Sequence, residues 1–477
     1  MKYYHNFLAF SIFLLGLFLF TFFKIFSYNP DYFNPDTFQH LSIANSYLNF
    51  DQPIRDSYTV GPIISLVIFL FKITFGIDND FLLLSLIVFI IYISNYIFIA
   101  FFSFRNNINI YLITNFYLIF LYFIPFEQDS LSLNGELLAV FFIICYFNFS
   151  HSPSFITHIL FFTLVSYTKI QALPIIFFYY IYTNWLNRKL IYIIIVLTLF
   201  DILLFNFNLG HIFNFKSYLQ YTLFNWSDSG SRPFEFYFFM NNIYISTKWL
   251  LLNLTSYYPY FYLLLGATIF LINFKSLVKL LIFIFISFLC IILPMKNFPH
   301  YLILLFPCIF IIAFDLITGL TNYLKNKFLL NFLNTSSILF CILFLVLINR
   351  HHIFNLYNNL DISFIRKNLF ISNESQELFN KFKLPPDASL LVHCWDYRYY
   401  SLFDKGSPRI DYLSVYTGRV SKIQYENFVY LSKFDFILDC FQHTSLIKFY
   451  SPFPEYIINN YESVFNSNNL ILYKYKR

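Results

Sequence analysis

Long apolar runs alternate with short polar connections through most of the chain. A membrane-spanning helix needs about 20 mostly apolar residues. Runs near that length cover Phe7–Phe26, Phe81–Phe104, Ile110–Ile124, Gly135–Phe149, Phe155–Thr168, Ala172–Leu186, Leu190–Phe207, Trp249–Phe274, Leu277–Leu293, Tyr301–Ile317 and Leu330–Ile348. About eleven transmembrane helices are therefore expected, several of them short. The apolar piece Pro62–Phe75 is not counted among them, because Lys72 interrupts it and its length suits a helix lying in the membrane interface. The first run is too long for the core of a signal peptide and no A-x-A site follows it, so it reads as a retained helix.

From Arg350 the pattern changes. LPPDASLLVHCWDYRYY places a turn signal before a short apolar strand, and KFDFILDCF and NNLILYKYKR read as two more strands. NESQELFNKFK and QYENFVYLSKF carry helical periodicity. The expected organisation is an α-helical polytopic membrane domain over 1–349 and a small external α/β domain over 350–477.

Composition agrees. Charged residues are 12% of 477, where a soluble chain carries roughly a quarter. Of the 31 Lys and Arg, 16 precede Arg350 and 15 lie from Arg350 onward, so the tail has ordinary charge density and the rest does not. The net charge of +6 comes with no basic cluster interleaved with aromatics, which argues against a nucleic-acid partner. The cations instead follow topology. With Met1 inside, Arg105, Arg188-Lys189, Lys275 with Lys279, and Lys325 with Lys327 all fall in cytoplasmic connections. The C-terminal domain then lies outside, and Lys24 snorkels to the outer interface. The six cysteines show no metal spacing; Cys145, Cys290, Cys308 and Cys341 sit in apolar runs, while Cys394 and Cys440 end two predicted strands and would bridge in an oxidising compartment.

The stretch Ser27–Gly76 is longer and more acidic than a connection between two helices requires. It holds Asp31, Asp36, Asp51 and Asp56 against Arg55, with an amphipathic run from His40 to Leu48 and a Gly61-Pro62 step before the next apolar piece. A carboxylate soon after the first helix, a small-residue helix and a Pro-led segment ending near Gly resemble the first external loop of the GT-C membrane glycosyltransferases. Within that class the likeness is to glycosyltransferase family 39, the protein O-mannosyltransferases and aminoarabinose transferases. Asp36-Thr37 stands where Asp-Glu is usual, and Gly61-Pro62 where Pro-Pro is usual. The resemblance implies an inverting enzyme of the bacterial inner (plasma) membrane. It would pass a sugar from a polyprenyl-phosphate donor to a lipid, glycan or protein acceptor on the external face. SLLVHCWDYRYYSLFDKGSPRIDY is similar to the strand-led element of the external domain in these relatives.

Such a transfer needs a carboxylate to take the acceptor's proton and cations to hold the phosphate. Asp36 is the candidate base, and Asn34-Pro35-Asp36 before a helix is equally a capping signal. The second external loop, PFEQDSLSLNGELLAVFF, offers Glu127, Asp129 and Glu136. The resemblance places an acid of this segment opposite Asp36; Glu136 is favoured over Asp129, against plain capping of the next helix. Lys169 in SYTKIQALP lies between two apolar runs, where an unpaired cation is costly, and Ile170 replaces the Gly of the relatives' Thr-Lys-Gly. Lys296 and His300-Tyr301 in PMKNFPHYLILLFP match the relatives' basic residue before His/Arg-Tyr, with interfacial anchoring as the plainer alternative. Arg232, in GSRPFEFYFFMNN of the loop 208–248, is a further donor-groove candidate beside His211, Asp228 and Glu235.

His351-His352 lack companion ligands, and no Walker A, GxGxxG or HExxH pattern occurs. No cofactor is expected from the sequence; a divalent metal ion is left open. Three rivals stay in view, the third a non-catalytic membrane scaffold. A lipid-linked glycan flippase or other transporter would be expected to show internal repeats and broken helices, which are not seen. An O-antigen-type polymerase usually carries a late Arg-rich external loop, and 208–248 is poor in Arg.

Overall fold

The structure is a computed structural model of the full chain. It describes most of the helices and strands but not residues 1, 27–34, 49–61, 123–132, 200–235, 293–298, 324–334, 348–372, 394–397, 409–421 and 441–452, nor some shorter pieces. In chain order the described helices up to residue 323 include α1 (Lys2–Phe26), α2 (Pro35–Leu48), α3 (Ile63–Phe75), α4 (Asp80–Arg105), α5 (Ile110–Tyr122), α6 (Gly135–Phe149), α7 (Phe155–Ser166), α8 (Leu173–Asn184), α9 (Phe236–Tyr257), α10 (Phe274–Ile292) and α11 (Phe306–Tyr323), beside shorter helical pieces such as 192–196 and 265–267. Two 3-10 segments, Ile170–Ala172 and Pro299–Leu305, lead into α8 and α11. Among the described residues, Leu82–Arg105 and His300–Leu320 are long and apolar enough to cross a bilayer, and eight shorter apolar helices accompany them.

Two of the predicted runs differ in detail. The helix assigned to Trp249–Phe274 begins at Phe236 and ends at Tyr257, because the polar residues Asn241, Asn242, Ser246, Thr247 and Lys248 interrupt the hydropathy without interrupting the helix, while the apolar run continues past the helix end. The run from Tyr301 starts as 3-10 and turns α-helical only at Phe306. Pro307 accounts for this: it lacks an N–H and suits the first turn of a helix, not its interior.

The chain divides into two compact units. The first comprises Met1–Tyr28, Leu84–Leu223 and Phe234–Ile362; the second comprises Asn29–Leu83, Phe224–Pro233 and Ser363–Arg477. In the first unit aromatic rings fill the helix interfaces, which gives the abundant Phe and Tyr a packing role. Phe13 of α1 stacks on Tyr96 of α4 at 3.9 Å, and Phe120 of α5 lies 3.6 Å from Phe306 of α11. The buried phenols find partners: Tyr96 Oη shares a hydrogen with Thr114 Oγ1 at 2.8 Å, and Tyr117 Oη donates to the Tyr92 carbonyl. Gly16 of α1 is needed where α5 comes close, since a Cβ there would stand 2.6 Å from Leu118 Cδ2.

In the second unit α2 and α3 pack together, and α2 also packs on the short helix Arg398–Leu402. Lys72 of α3 is partly buried and reaches Asn45 Oδ1 at 2.8 Å and Asp80 Oδ1 at 3.2 Å. Gly76 ends α3 in the left-handed conformation (φ 58°) and returns its N–H to the Lys72 carbonyl. The C-terminal residues form a four-stranded sheet ordered β1-β2-β4-β3, from β1 (Leu390–His393), β2 (Phe436–Cys440), β3 (Tyr461–Asn466) and β4 (Leu470–Tyr475). β1 and β2 are parallel; the other two pairings are antiparallel. All three expected strands and both expected helices are present. Strand β3 and the helix Phe453–Asn460 are additions, disguised by the polar residues of YESVFN and FPEYIINN. The β1–β2 register runs to His393↔Asp439, immediately before Cys394 and Cys440, whose side chains lie outside the described residues.

Candidate active site

Three elements of the first unit bring their beginnings together. α6 starts at Gly135, capped by Asn134, whose Oδ1 accepts the Leu137 N–H at 2.8 Å. This cap fixes Glu136 in the first helical turn, 1% exposed. The second element is the break between α7 and α8. The chain leaves α7 with Lys169 N–H on the Val165 carbonyl, then Lys169 turns extended (φ −150°, ψ 103°) and the Ile170–Ala172 turn begins. That break aims a lysine inward at a point where a continuous helix would not. The third is the 3-10 segment Pro299–Leu305, which packs on α6 and supplies His300 and Tyr301.

Lys169 Nζ lies 2.7 Å from Glu136 Oε1, and both side chains are almost wholly buried. His300 Nε2 is 4.0 Å from the same oxygen. The Lys169 ammonium also stands 5.0 Å from the centre of the buried Tyr301 ring, within cation–π range, and the His300 and Tyr301 rings meet edge to face. Two buried polar atoms beside this group have no hydrogen-bond partner: Asn134 Nδ2 and Gln171 Oε1. Chemically, the arrangement offers one carboxylate, an ammonium and an imidazole around a single point, with an aromatic face behind them.

Of the residues expected from sequence, Glu136, Lys169, His300 and Tyr301 are thus brought together. Asp129, Arg232 and Lys296 lie outside the described residues, as do Glu127, His211, Asp228 and His351-His352. Asp36 falls in the first turn of α2, as its capping signal predicts, and its side chain lies outside the description. Gln171 was not anticipated; its signal was the polar residue stranded in an apolar run two places after Lys169. Among the described residues no group of three His, Cys, Asp or Glu gathers as a metal site.

A solved structure, "ArnT from Cupriavidus metallidurans bound to Undecaprenyl phosphate", is similar over 98% of this chain and 97% of that one, with a TM-score of 0.54 at 11% identity. The likeness establishes a shared fold along essentially the whole length. No protein-family profile matches the chain, and no curated protein does.

Proposed function

We infer that this protein is a GT-C-type membrane glycosyltransferase. It takes a sugar from a polyprenyl-phosphate donor and passes it to a lipid, glycan or protein acceptor at the external membrane surface. The observation that carries this reading is the buried Glu136–Lys169–His300 group, held in a fold shared with a protein whose solved structure holds undecaprenyl phosphate. Ionisable groups within a membrane bundle are costly and rarely without function.

In the proposed reaction an acceptor oxygen bonds to the anomeric carbon of the sugar as the carbon–oxygen bond to phosphate breaks. The polyprenyl phosphate leaves with the electron pair, and the acceptor's proton passes to a carboxylate. A single displacement of this kind inverts the anomeric centre. Lys169 and His300 are suited to the phosphate, because cations already fixed in a dry site stabilise developing charge without reorganising. Glu136 holds the Lys169 ammonium and is therefore a positioning group; a carboxylate 2.7 Å from an ammonium is a poor proton acceptor. Asp36 is the proposed general base, on the resemblance of the first loop, with Asp129, Arg232 and Lys296 as further candidates for acid and phosphate-binding roles. Family 39 is the proposed affiliation, on the sequence resemblance of the first loop.

The test is turnover by purified protein supplied with radiolabelled polyprenyl-phosphate sugars and a mixed envelope acceptor fraction. Release of free polyprenyl phosphate is expected, lowered about 10²–10⁴-fold in Asp36→Asn, the usual size of a general-base contribution. Translocation of intact donor without its consumption would identify a flippase instead and overturn the reading.

A further inference from the structure

At the other end of the same helices lies a second polar site that the glycosyl-transfer reading does not use. A cavity of about 190 Å³ opens between the final turns of α4, α6 and α8 and the middle of α11. That volume is many times the ~15 Å³ one water requires. The distance from the first site is set by helix geometry. Glu136 and Phe147 both belong to α6 and are eleven residues apart, so at 1.5 Å per residue the two sites are about 17 Å apart along the axis.

The lining combines two kinds of group. Four aromatic rings, Phe102, Phe147, Tyr179 and Phe314, surround the cavity, with Phe102 against Phe314 at 4.7 Å and Phe147 against Tyr179 at 4.1 Å. Asp315 lines the same space, and its Oδ2 is buried with no hydrogen-bond partner. A carboxylate set among aromatic faces is the chemistry that recognises an organic ammonium. Asn106, Thr183 and Ile311 also line the space, together with Arg105 and His151, both exposed and both just at helix ends. Arg105 is oriented by a hydrogen bond from its Nη1 to the Asn148 carbonyl at 3.0 Å. An arginine fork with an adjacent imidazole is the chemistry that recognises phosphate.

We propose that this cavity binds an aminoalkyl phosphate, the zwitterionic headgroup of a phosphatidylethanolamine-type membrane lipid, with the ammonium at Asp315 and the phosphate at Arg105 and His151. Phe101 and Phe104, strongly exposed on the same turns of α4 as Phe102 and Arg105, offer the apolar surface that acyl chains would follow. The same headgroup chemistry exists free in solution, and the acyl surface is what distinguishes the two sources.

The experiment measures binding to the purified full-length chain in detergent by titration calorimetry. Its probes are short-chain phosphatidylethanolamine, phosphatidylglycerol of equal chain length, and free phosphoethanolamine. The expected result is one equivalent of phosphatidylethanolamine, bound at least about 10-fold more tightly than phosphatidylglycerol, with Asp315→Asn abolishing that preference. Arg105→Gln, at an exposed position, should weaken both lipids. Free phosphoethanolamine binding as tightly as the lipid would keep the site and assign it to a soluble ligand. No preference between the two lipids in the wild-type protein would overturn the proposal, whatever the fate of the Asp315 variant. So would a preference that survives both substitutions.

Discussion

Glu136 and Lys169 share the problem of any buried ion pair: each is tolerable only while the other is present. Bringing a carboxylate and an ammonium out of water costs several kcal/mol apiece, and their mutual attraction offsets this only at close range, here 2.7 Å. Removing one partner leaves an uncompensated charge, so Lys169→Ala and Glu136→Gln should each destabilise the folded protein by about 3 kcal/mol or more. The double variant Glu136→Gln/Lys169→Ala should cost much less than the two together, because it buries no charge. Thermal unfolding in detergent measures all four members of the cycle. If the single variants are near wild type in stability, the pair is solvated and the buried geometry is wrong. Activity separates the same variants differently. Under the phosphate-binding role for Lys169, the stable double variant remains inactive, since restoring stability does not restore the cation.

At the scale of elements, what the sequence revealed depended on whether chemistry or packing set the boundary. Glu136, Lys169 and His300-Tyr301 were legible because a charged or polar residue at the edge of an apolar run is expensive and so conspicuous. Their meeting was not legible, because it depends on the break between α7 and α8 at Lys169 and on the 3-10 lead into α11, and neither has a hydropathy signature. Asp315 was overlooked for the opposite reason: one acid inside the apolar run Tyr301–Ile317 did not break the pattern. In the C-terminal sheet, strands β1, β2 and β4 were plain from their apolar runs, whereas β3, half exposed, was not. Strand β1 also carries a pH-dependent element. His393 is buried against Tyr425, whose Oη lies 2.9 Å from its Nδ1, and burial holds its pKa down to about 4. The unfolded histidine protonates near 6.5, so between about 6.5 and 4 the unfolded chain binds the proton and the folded one does not. The sheet's stability is therefore complete above about pH 6.5 and falls as pH drops toward 4, by at most about 3.5 kcal/mol at ~1.4 kcal/mol per pH unit. Denaturant midpoints of the C-terminal region at pH 7.5 and 4.5 should differ accordingly. The difference should vanish in His393→Gln; an unchanged midpoint in the wild type would remove His393 as its origin.

For the whole molecule, the two polar sites at opposite ends of α6 make orientation the decisive quantity. The Glu136–Lys169–His300 group serves an external transfer only if the beginnings of α6 and α11 face outward, and the Arg105 end then faces the cytoplasm. The charge distribution favours this arrangement. Arg105, Arg188-Lys189, Lys275 with Lys279, and Lys325 with Lys327 all belong to one side under the expected span register, and positive residues in short connections stay inside. Moving Pro62–Phe75 into the count of spans would reverse every one of them. The helix at Ile63–Phe75 carries a partly buried Lys72 bonded to Asn45 and Asp80, a polar tie that argues against a membrane crossing. A reporter active only outside the cytoplasm should therefore work when fused after Arg477, and after residue 129 in the second external loop, but fail after Asn106. Cysteine-specific labelling at the same three positions with a membrane-impermeant reagent gives an independent reading. Should the Arg477 and residue 129 fusions report opposite sides, the number of crossings between them is odd. The external assignment of the C-terminal domain and that of the Glu136–Lys169 site would then exclude each other.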